Sequence, residues 1–333
     1  MFGFLGAYYP PNPEKINFLF PIMHTYLPTI IFLTFLFCFS QQLSAQEDRT
    51  LLTDYPEMKK WFFPTDGAYL HQFASDLDDG GSLSVNRFYI QTGSTFSPKP
   101  QQSISLVVGY EFNGYDFSEE NNRAIPLFWD DIHSLRISLP VRWRKNSRWT
   151  LFAAPSIRFT GEQSADWGEA ATAGGFAGFS YRINDRLIIG PGIGIFSQLE
   201  ESTSFFPILL ISWKITDRLS LRTGRGLAAT LGPGLILNWK YTDTLEFHAG
   251  CRYEKLRFRL DDNGQAPEGI GEDTSFPLVF GATYHFNHNA RLTLAGGAAF
   301  GGELRLEDDS GRLRVKDHHD PAPLLGLIFH YQM

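Results

Sequence analysis

Apolar and polar residues alternate along most of the chain from about residue 67 onward, which is the period of β-strands with two different faces. The clearest run spans residues 292–306. One face of that run is Leu292, Leu294, Gly296, Ala298, Phe300, Gly302, Leu304 and Leu306, and the other is Arg291, Thr293, Ala295, Gly297, Ala299, Gly301, Glu303 and Arg305. At about 3.3 Å per residue this strand is roughly 45–50 Å long. Such a length favours a tilted strand that crosses a membrane and extends beyond it.

Three further segments repeat this alternation. Their apolar faces are Ile104, Leu106, Val108, Tyr110 and Phe112; Leu135, Ile137, Leu139, Val141 and Trp143; and Phe276, Leu278, Phe280, Ala282, Tyr284 and Phe286. The opposite faces carry polar residues or glycine. The apolar faces often end in an aromatic residue, as expected where a barrel wall meets lipid headgroups.

The connections predict the topology. Tight turns rich in Asn, Asp, Ser or Pro fall at Ser97–Gln101, Lys145–Ser147, Asn184-Asp185, Thr216-Asp217, Thr242-Asp243 and Asn287–Asn289. Longer or more acidic segments lie between them, at 76–82, 115–131, 161–169, 200–203, 226–230, 260–273 and 307–320. Short turns alternating with longer loops are typical of an outer-membrane barrel. With a first strand near 67–75 and a last strand from Pro321 to Met333, the pattern predicts an all-β, antiparallel up-and-down barrel of about 14 strands, with 12 or 16 as alternatives.

The N-terminal region reads as an export signal. Residues 27–39 form an apolar run that is short for a membrane-spanning helix but suits the core of a signal peptide, although an anchor helix is an alternative. Ala45 is a plausible cleavage position, and either Met1 or Met23 could be the start. We therefore expect an upstream extension and signal peptide at 1–45, a periplasmic lead-in at 46–66 and the barrel at 67–333.

The export signal, the alternating strands and the terminal Phe329-His330-Tyr331-Gln332-Met333 resemble an outer-membrane β-barrel of a Gram-negative bacterium. More narrowly, the chain resembles the uncharacterised outer-membrane barrels grouped as domains of unknown function. Such barrels usually end on an aromatic residue, whereas this chain ends on Met333. The resemblance implies outer-membrane lipid, lipopolysaccharide and the barrel assembly machinery as partners, and it implies no particular oligomeric state.

Acidic and basic residues are concentrated in different parts of the sequence. The seven longer segments hold 23 acidic and four basic residues, a net charge of −19, so the rest of the chain carries +12 within a total of −7. This total argues against a nucleic-acid partner. Many of the remaining cations alternate with apolar residues and are expected to line the lumen, because a charge that faces mid-bilayer lipid costs about 2–4 kcal/mol. These lumen-lining candidates are Arg136, Arg142, Arg144, Arg158, Arg182, Arg222, Lys240 and Arg291.

Two interpretations of these cations stay open. They could pair with Glu111, Glu246, Glu254 and Glu303 and hold the interior together, or they could line an anion-favouring passage.

Other polar motifs give no assignable chemistry. Asp317 and His318-His319-Asp320 could bind a metal, but a solvated loop is favoured. Asp261-Asp262-Asn263-Gly264 lacks the spaced ligands of a calcium loop and predicts a tight turn. Gly190–Gly194 lies in an alternating strand without a following helix, so it is not a phosphate loop. The sequence therefore predicts no catalytic residue, no metal site and no cofactor.

The sequence favours a pore or transporter for small solutes, with anions preferred if the cations line an open passage. One alternative is an enzyme acting on lipid or surface peptide, which needs a His–Ser or His–Asp pair near the outer rim; His133, His248, His285 and His319 are scattered candidates. Another alternative is a structural or surface-interaction barrel with a plugged lumen. In that case large side chains should meet across the axis.

Overall fold

The computed structural model describes residues 61–118, 129–225, 233–263 and 266–333, and the regular structure in these ranges consists of β-strands. The first nine segments are β1 (Trp61–Phe62), β2 (Pro64–Asp76), β3 (Ser82–Lys99), β4 (Gln102–Ser118), β5 (Ile132–Ser138), β6 (Val141–Arg144), β7 (Trp149–Glu162), β8 (Ala171–Asn184) and β9 (Leu187–Gln198). The other nine are β10 (Glu201–Lys214), β11 (Leu219–Arg225), β12 (Pro233–Lys240), β13 (Leu245–Arg252), β14 (Glu254–Arg259), β15 (Ile270–His285), β16 (Ala290–Glu307), β17 (Leu313–His319) and β18 (Ala322–Gln332).

These segments form one closed antiparallel barrel of 14 strands. β5 and β6 both pair with β4 and β7, so they are two halves of one barrel strand. β13 and β14 both pair with β15, and β17 and β18 both pair with β16, so each of these couples also counts as one barrel strand. β1 is a two-residue segment paired with β3. Pairing of β18 with β2, in the register Leu327↔Tyr69, joins the last strand to the first. The predicted fold and the predicted number of strands are confirmed.

The six predicted tight turns connect strands at one end of the barrel, which is the end where the chain terminates at Met333. This end is the periplasmic one in a barrel with short periplasmic turns. At the opposite, extracellular end, a long described connection spans residues 163–170. Residues 119–128 of the predicted segment 115–131 lie outside the described residues.

Several of the predicted longer segments are wrong in extent. Leu199 and Glu200 alone separate β9 from β10, and most of 307–320 is strand, because Leu313–His319 forms β17. Acidic side chains beyond the bilayer do not prevent ladder formation, since strand pairing uses the backbone groups. Likewise, Ile270–Asp273 belongs to β15. The predicted connection at 226–230 lies outside the described residues.

The outer surface is an apolar band. Alternate residues of the predicted lipid-facing runs are exposed, with Leu106, Ile137 and Phe280 as examples, while the residues between them turn inward. Apolar exposure on this scale over a closed barrel is the property of a membrane-spanning wall. The chain is thus an outer-membrane β-barrel. In the described parts of the chain, no helix is long and apolar enough to cross a membrane.

The run 292–306 departs from simple alternation at one residue. Gly301 has φ +59° and occupies a β-bulge, where the pairing shifts between Thr274↔Glu303 and Phe276↔Phe300. One extra residue reverses the facing of everything beyond it. Leu294 is therefore 55% exposed, whereas Leu304 is 0% exposed and points inward. The prediction that 292–306 keeps one apolar face is wrong beyond Gly301.

In the extracellular part of the barrel, two strands that are not neighbours around the wall contact each other. β7 and β14 pair there in parallel, through Arg259↔Gly161, although β8 to β13 lie between them around the wall. The seam is tight, because a Cβ on Gly161 would lie 2.9 Å from the carbonyl oxygen of Arg259. It encloses nine segments on one side, namely β14, β15, β16, β17, β2, β3, β4, β5 and β7.

A dry core fills this nine-segment part, which we call the cap. Its buried members are Leu77, Leu83, Val85, Tyr115, Trp129, Ile132, Leu256, Phe258, Leu260, Leu304 and Leu306. Trp129 and Phe258 meet edge to face with ring centroids 5.1 Å apart. Large side chains from non-adjacent strands therefore meet inside the cap.

Candidate permeation path

The eight predicted lumen-lining cations occupy inward positions of the strand alternation. Arg136, Arg142 and Arg144 alternate along β5 and β6 with exposed Ile137, Val141 and Trp143, and the others lie at equivalent positions. The others are Arg158 on β7, Arg182 on β8, Arg222 on β11, Lys240 on β12 and Arg291 on β16. Arg136 and Arg158 stand directly opposite each other on neighbouring strands. Lys240 lies at the periplasmic rim, where its Nζ is 2.7 Å from Asp243 Oδ1.

Arg136 is held at one end of a polar chain that runs along the inner wall. Its Nη2 donates to Gln91 Oε1 at 2.6 Å and to the Tyr89 hydroxyl at 3.3 Å. Gln91 Nε2 in turn donates to Asp66 Oδ2 at 3.2 Å, and His330 Nδ1 lies 2.5 Å from Asp66 Oδ1. This chain joins β5, β3, β2 and β18, so it fixes the Arg136 guanidinium with respect to the wall.

The four acids suggested as partners of these cations have different surroundings. Glu111 interacts electrostatically with Arg158, one of the eight. Glu246 lies within 3.8 Å of two histidines, His248 and His285. Glu254 pairs with Arg87 and Arg252, neither of which belongs to the predicted set.

The suggestion that Glu303 pairs with the inward cations is wrong. It lies beyond the bulge at Gly301, on the outward side of β16, where its Oε2 is 3.1 Å from Lys316 Nζ. The reversal of facing after the bulge removes it from the interior, together with Arg305.

A buried ionic network below the cap core was not predicted. Arg87 Nη2 lies 3.1 Å from Asp273 Oδ2 and its Nη1 lies 3.7 Å from Glu254 Oε2, and all three residues are almost fully buried. The Tyr115 hydroxyl donates to the same Asp273 oxygen at 2.8 Å. Because β3 and β15 are not neighbours, these contacts cross the barrel interior. In the sequence, Val85, Arg87 and Tyr89 are every second residue and alternate with residues such as Phe88. This alternation was the available signal that Arg87 faces inward.

The periplasmic half of the interior has a different charge balance. By strand alternation, its inward cations are Arg136, Arg142, Arg144, Arg158, Arg182, Lys214, Arg222, Lys240 and Arg291. In the same half, the inward carboxylates among the described residues are Asp66 and Glu246, both of which contact histidines, and Glu111, which interacts with Arg158. Positive charge therefore predominates in this half.

An apolar wall lies on β7 to β10, toward the extracellular side of Arg182. Phe152, Ile208 and Leu210 are buried on its inner face, with Phe176 and Phe206 packed against them. Several inward positions of β8 and β9 are glycines, and neighbouring rings cover them. A Cβ on Gly194 would lie 2.3 Å from the Phe206 ring, and one on Gly178 would lie 2.7 Å from Phe152 Cζ. The rings can therefore lie flat along the wall, which gives a broad apolar surface.

Gly190, Gly192 and Gly194 are thus packing glycines of β9, as the alternation predicted. A Cβ on Gly190 would lie 2.0 Å from the carbonyl oxygen of Phe179. Only glycine allows the two strands to approach this closely.

In the part of the chain that the structure describes, the candidate histidines do not form a nucleophilic pair with serine. His318 and His319 are consecutive residues of β17 and point to opposite sides, so they do not converge on one ion. The Ser75 hydroxyl is 3.2 Å from His319 Nδ1, but Nδ1 is also 2.7 Å from the carbonyl oxygen of Asp320. A carbonyl only accepts, so Nδ1 carries the proton and cannot act as a base toward Ser75.

His133 and His248 are engaged elsewhere. His133 Nδ1 is 2.8 Å from the Tyr110 hydroxyl on the outward face, whereas His248 Nδ1 is 2.8 Å from Asn238 Oδ1 inside. His285 lies 3.5 Å from Glu246 at the periplasmic end. The fold thus brings His248 and His285 together at Glu246, whereas His133 and His319 lie elsewhere.

No protein-family model matches the sequence, and a search of curated proteins gives no match. Among solved structures, an outer-membrane channel from Pseudomonas putida F1 has 11% identity and a TM-score of 0.47, covering 85% of this chain and 99% of that one. A FadL homologue from Pseudomonas aeruginosa has 13% identity and a TM-score of 0.48, covering 82% and 90%. The Pseudomonas putida toluene transporter TodX has 11% identity and a TM-score of 0.40, covering 84% and 90%. These are similarities in barrel architecture, and the fold assigned above rests on this chain's own strand pairing.

Proposed function

We propose that this barrel is an outer-membrane channel for small organic anions. The observation that carries the proposal is the excess of inward cations over inward carboxylates in the described periplasmic half of the interior. A confined path lined by fixed positive charge lowers the free energy of an anion along it.

The apolar wall on β7 to β10 supports an organic solute over a simple inorganic ion. Arg182 and Arg222 lie in one row across the sheet, separated by Ile188 and Ser212. Phe176 lies above this row on the same inner face. A negatively charged group near the arginines would leave the carbon part of the solute against the rings, where burial of apolar surface is favourable.

The plugged-barrel alternative has support from a specific observation. The cap core and the network around Arg87 fill the interior of the nine-segment part at the extracellular end. The inner face of β8 to β10 lies outside that part, so it is the side on which we place the path.

The test is ion selectivity of the refolded barrel in a planar bilayer. Replacing Arg136, Arg142 and Arg144 together with glutamine should reduce the preference for anions over cations several-fold, because three fixed charges leave the path. The matched control replaces the exposed turn residues Arg148, Arg186 and Arg218 with glutamine. It makes the same change in net charge and should keep most of the preference.

High salt should weaken the wild-type preference, since the Debye length falls to about 3 Å at 1 M. A folded barrel that passes current with cations favoured would contradict the anion proposal. Equal loss of selectivity in both triple variants would contradict the role given to the three inward arginines.

A further inference from the structure

An ionic cluster on the outward side of β14, β15 and β16 is buried instead of exposed. Arg257 Nη1 lies 3.0 Å from Glu272 Oε2, and Arg257 Nη2 lies 2.5 Å from Glu307 Oε2. The side chains of all three are at most 6% exposed. Lys255, Arg259 and Arg305 belong to the same side of these strands. Outward residues of a barrel are normally covered by lipid or water, so another part of the chain covers these.

The covering part is the two-residue turn between β9 and β10. Arg257 Nε donates to the carbonyl oxygen of Leu199 at 2.9 Å, and Arg259 Nη2 lies 2.6 Å from Glu200 Oε1. Arg257 also lies 3.6 Å from Glu201. On the other side of the turn, a Cβ on Gly311 would lie 3.3 Å from Glu200 Cβ. The tip of the β9–β10 hairpin thus crosses from β14 to the connection between β16 and β17.

The contact between the Leu199–Glu201 turn and β14 lies beside the seam between β7 and β14. This seam separates the cap from the sector of β8 to β12 at the extracellular end, and the cap is filled by its dry core. A solute moving along the apolar wall of β8 to β10 therefore has to leave between that wall and the outward side of β14. The turn at Leu199–Glu201 lies across this interval and is held to β14 by ionic contacts.

The contacts suit a closure that can be released. They consist of two arginines of β14 that contact one turn, with carboxylates from both sides of the interval, instead of an apolar core. Glu200 adopts φ 50°, a conformation that non-glycine residues rarely take, so the turn conformation is one that the surrounding contacts must hold.

We propose that the Leu199–Glu201 turn is the extracellular gate of the path, held shut by Arg257 and Arg259. This inference rests on the proposed function, because a gate requires a path. When the turn is released from β14, the interval between the β8–β10 wall and β14 opens to the extracellular side. The cap itself does not move.

The experiment uses a reversible cross-link in the full barrel. Replacing Glu200 and Gly311 with cysteine places two Cβ atoms about 3.3 Å apart, close to the spacing that a disulfide requires. Cys38 and Cys251 are replaced with serine in every variant to remove the other thiols of the chain. Bilayer current is recorded on the same protein after oxidation and after reduction. The single variants E200C and G311C are the controls, because Gly311 has φ +76° and its substitution alone strains the loop.

Oxidation should lower the current several-fold, reduction should restore it, and the single variants should not respond. A second variant, R257Q with R259Q, should raise the open fraction without any cross-link. It also tests the gate if the cysteine pair does not assemble, and unchanged gating in that variant would contradict the proposal.

A complete disulfide that leaves the current unchanged would overturn the gate and leave the channel standing. If ions do not pass but swelling of vesicles with a neutral sugar responds to the cross-link, the anion path is rejected and the gate retained. The absence of flux in every state, the R257Q/R259Q variant included, would reject both.

Discussion

The cap and the β8–β10 sector are built from the same kind of strand, but they differ in whether inward charges are balanced by opposite charges. In the cap, Arg87 is enclosed by Asp273 and Glu254, and the charges nearly cancel within a dry interior. In the periplasmic half of the path, one sign of charge predominates. A buried charge needs a hydrogen-bonded counterion, whereas a charge in contact with water or solute does not. Balanced charge therefore marks the closed part of the interior, and unbalanced charge marks the part proposed to meet solute.

The two regions also differ in how their apolar side chains pack. In the cap, Trp129, Phe258 and Leu304 pack together in one core cluster. On the β8–β10 wall, Phe206 instead lies over Gly194 of the adjacent strand. Aromatic residues placed over glycines line a surface, whereas aromatic residues placed opposite leucines fill a core.

Deletion of Gly301 should give the largest effect on this difference. Without the bulge, Leu304 and Leu306 would face outward and Glu303 and Arg305 would face the cap core. Each displaced leucine should cost about 2–5 kcal/mol. We expect the cap to become protease-sensitive at its connections, while the outward band of β16 before Gly301 keeps its facing. Limited proteolysis of the folded barrel in detergent would measure this.

The matched variant is Gly301→Ala, which keeps the bulge. No atom lies within 4 Å of the added Cβ, so the remaining cost is the left-handed conformation, about 1–2 kcal/mol. A deletion variant whose cap resists protease as well as the alanine variant would show that the bulge does not set the facing of Leu304.

The strands and the tight turns were predictable because both follow local rules. Alternation along residues 104–112 and the Asn- or Asp-containing turn at Asn184-Asp185 follow directly from side-chain period and turn conformation. The bulge was not predictable, because a single Gly at 301 among Gly296, Gly297 and Gly302 gives no signal of which one adopts positive φ.

The cap and the gate contacts depend on residues far apart in sequence. Arg259 meets Gly161 at the seam and Glu200 at the turn, and nothing in the local pattern around Arg259 identifies either partner. Asp273 belongs to a run that looked like an acidic loop, and only the pairing of β15 places it inside next to Arg87. Inward facing of the eight cations follows from alternation, whereas the balance between cations and carboxylates needs the fold.

A charge on the lipid-facing side should have an intermediate effect. Leu294 lies within the outward band of β16 between Leu292 and Phe300, so Leu294→Arg should destabilise the barrel by about 2–4 kcal/mol. The control is Ser156→Arg on the inner face of β7, where the opposite positions are Ser138 and Gly174 and the side chain can extend into the path. Unfolding in urea with lipid vesicles would compare the two variants.

Alternation alone would suggest Gly297 as the inward control on the same strand. The structure excludes it, because a Cβ at Gly297 would lie 2.0 Å from the carbonyl oxygen of Leu278. Equal destabilisation by arginine at Leu294 and at Ser156 would argue that the interior of β7 is as closed as the cap.

The smallest expected effect is acid loosening of the 308–312 connection beside the proposed gate. Asp308 accepts the backbone N–H groups of Arg312 at 2.9 Å and Ser310 at 3.0 Å. These bonds, the Ser310 hydroxyl and the nearby Arg314 lower the pKa of Asp308 to about 2. In an unfolded chain the value is about 3.9, so the carboxylate stabilises the connection above that pH and the stabilisation is lost as pH falls from about 4 to about 2.

Hydrogen exchange at the amides of Ser310 and Arg312, corrected for the intrinsic effect of pH, should show protection falling over this range while the amides of β16 are unaffected. Asp308→Asn accepts the same bonds without titrating, so its protection should not change with pH between 4 and 2. A parallel fall in the asparagine variant would assign the loosening to other groups. Because Gly311 lies against Glu200, a rise in wild-type current over the same pH range that is absent from the asparagine variant would connect this loop to the gate. An equal rise in the wild-type and asparagine proteins would mean that the connection does not help to hold the turn.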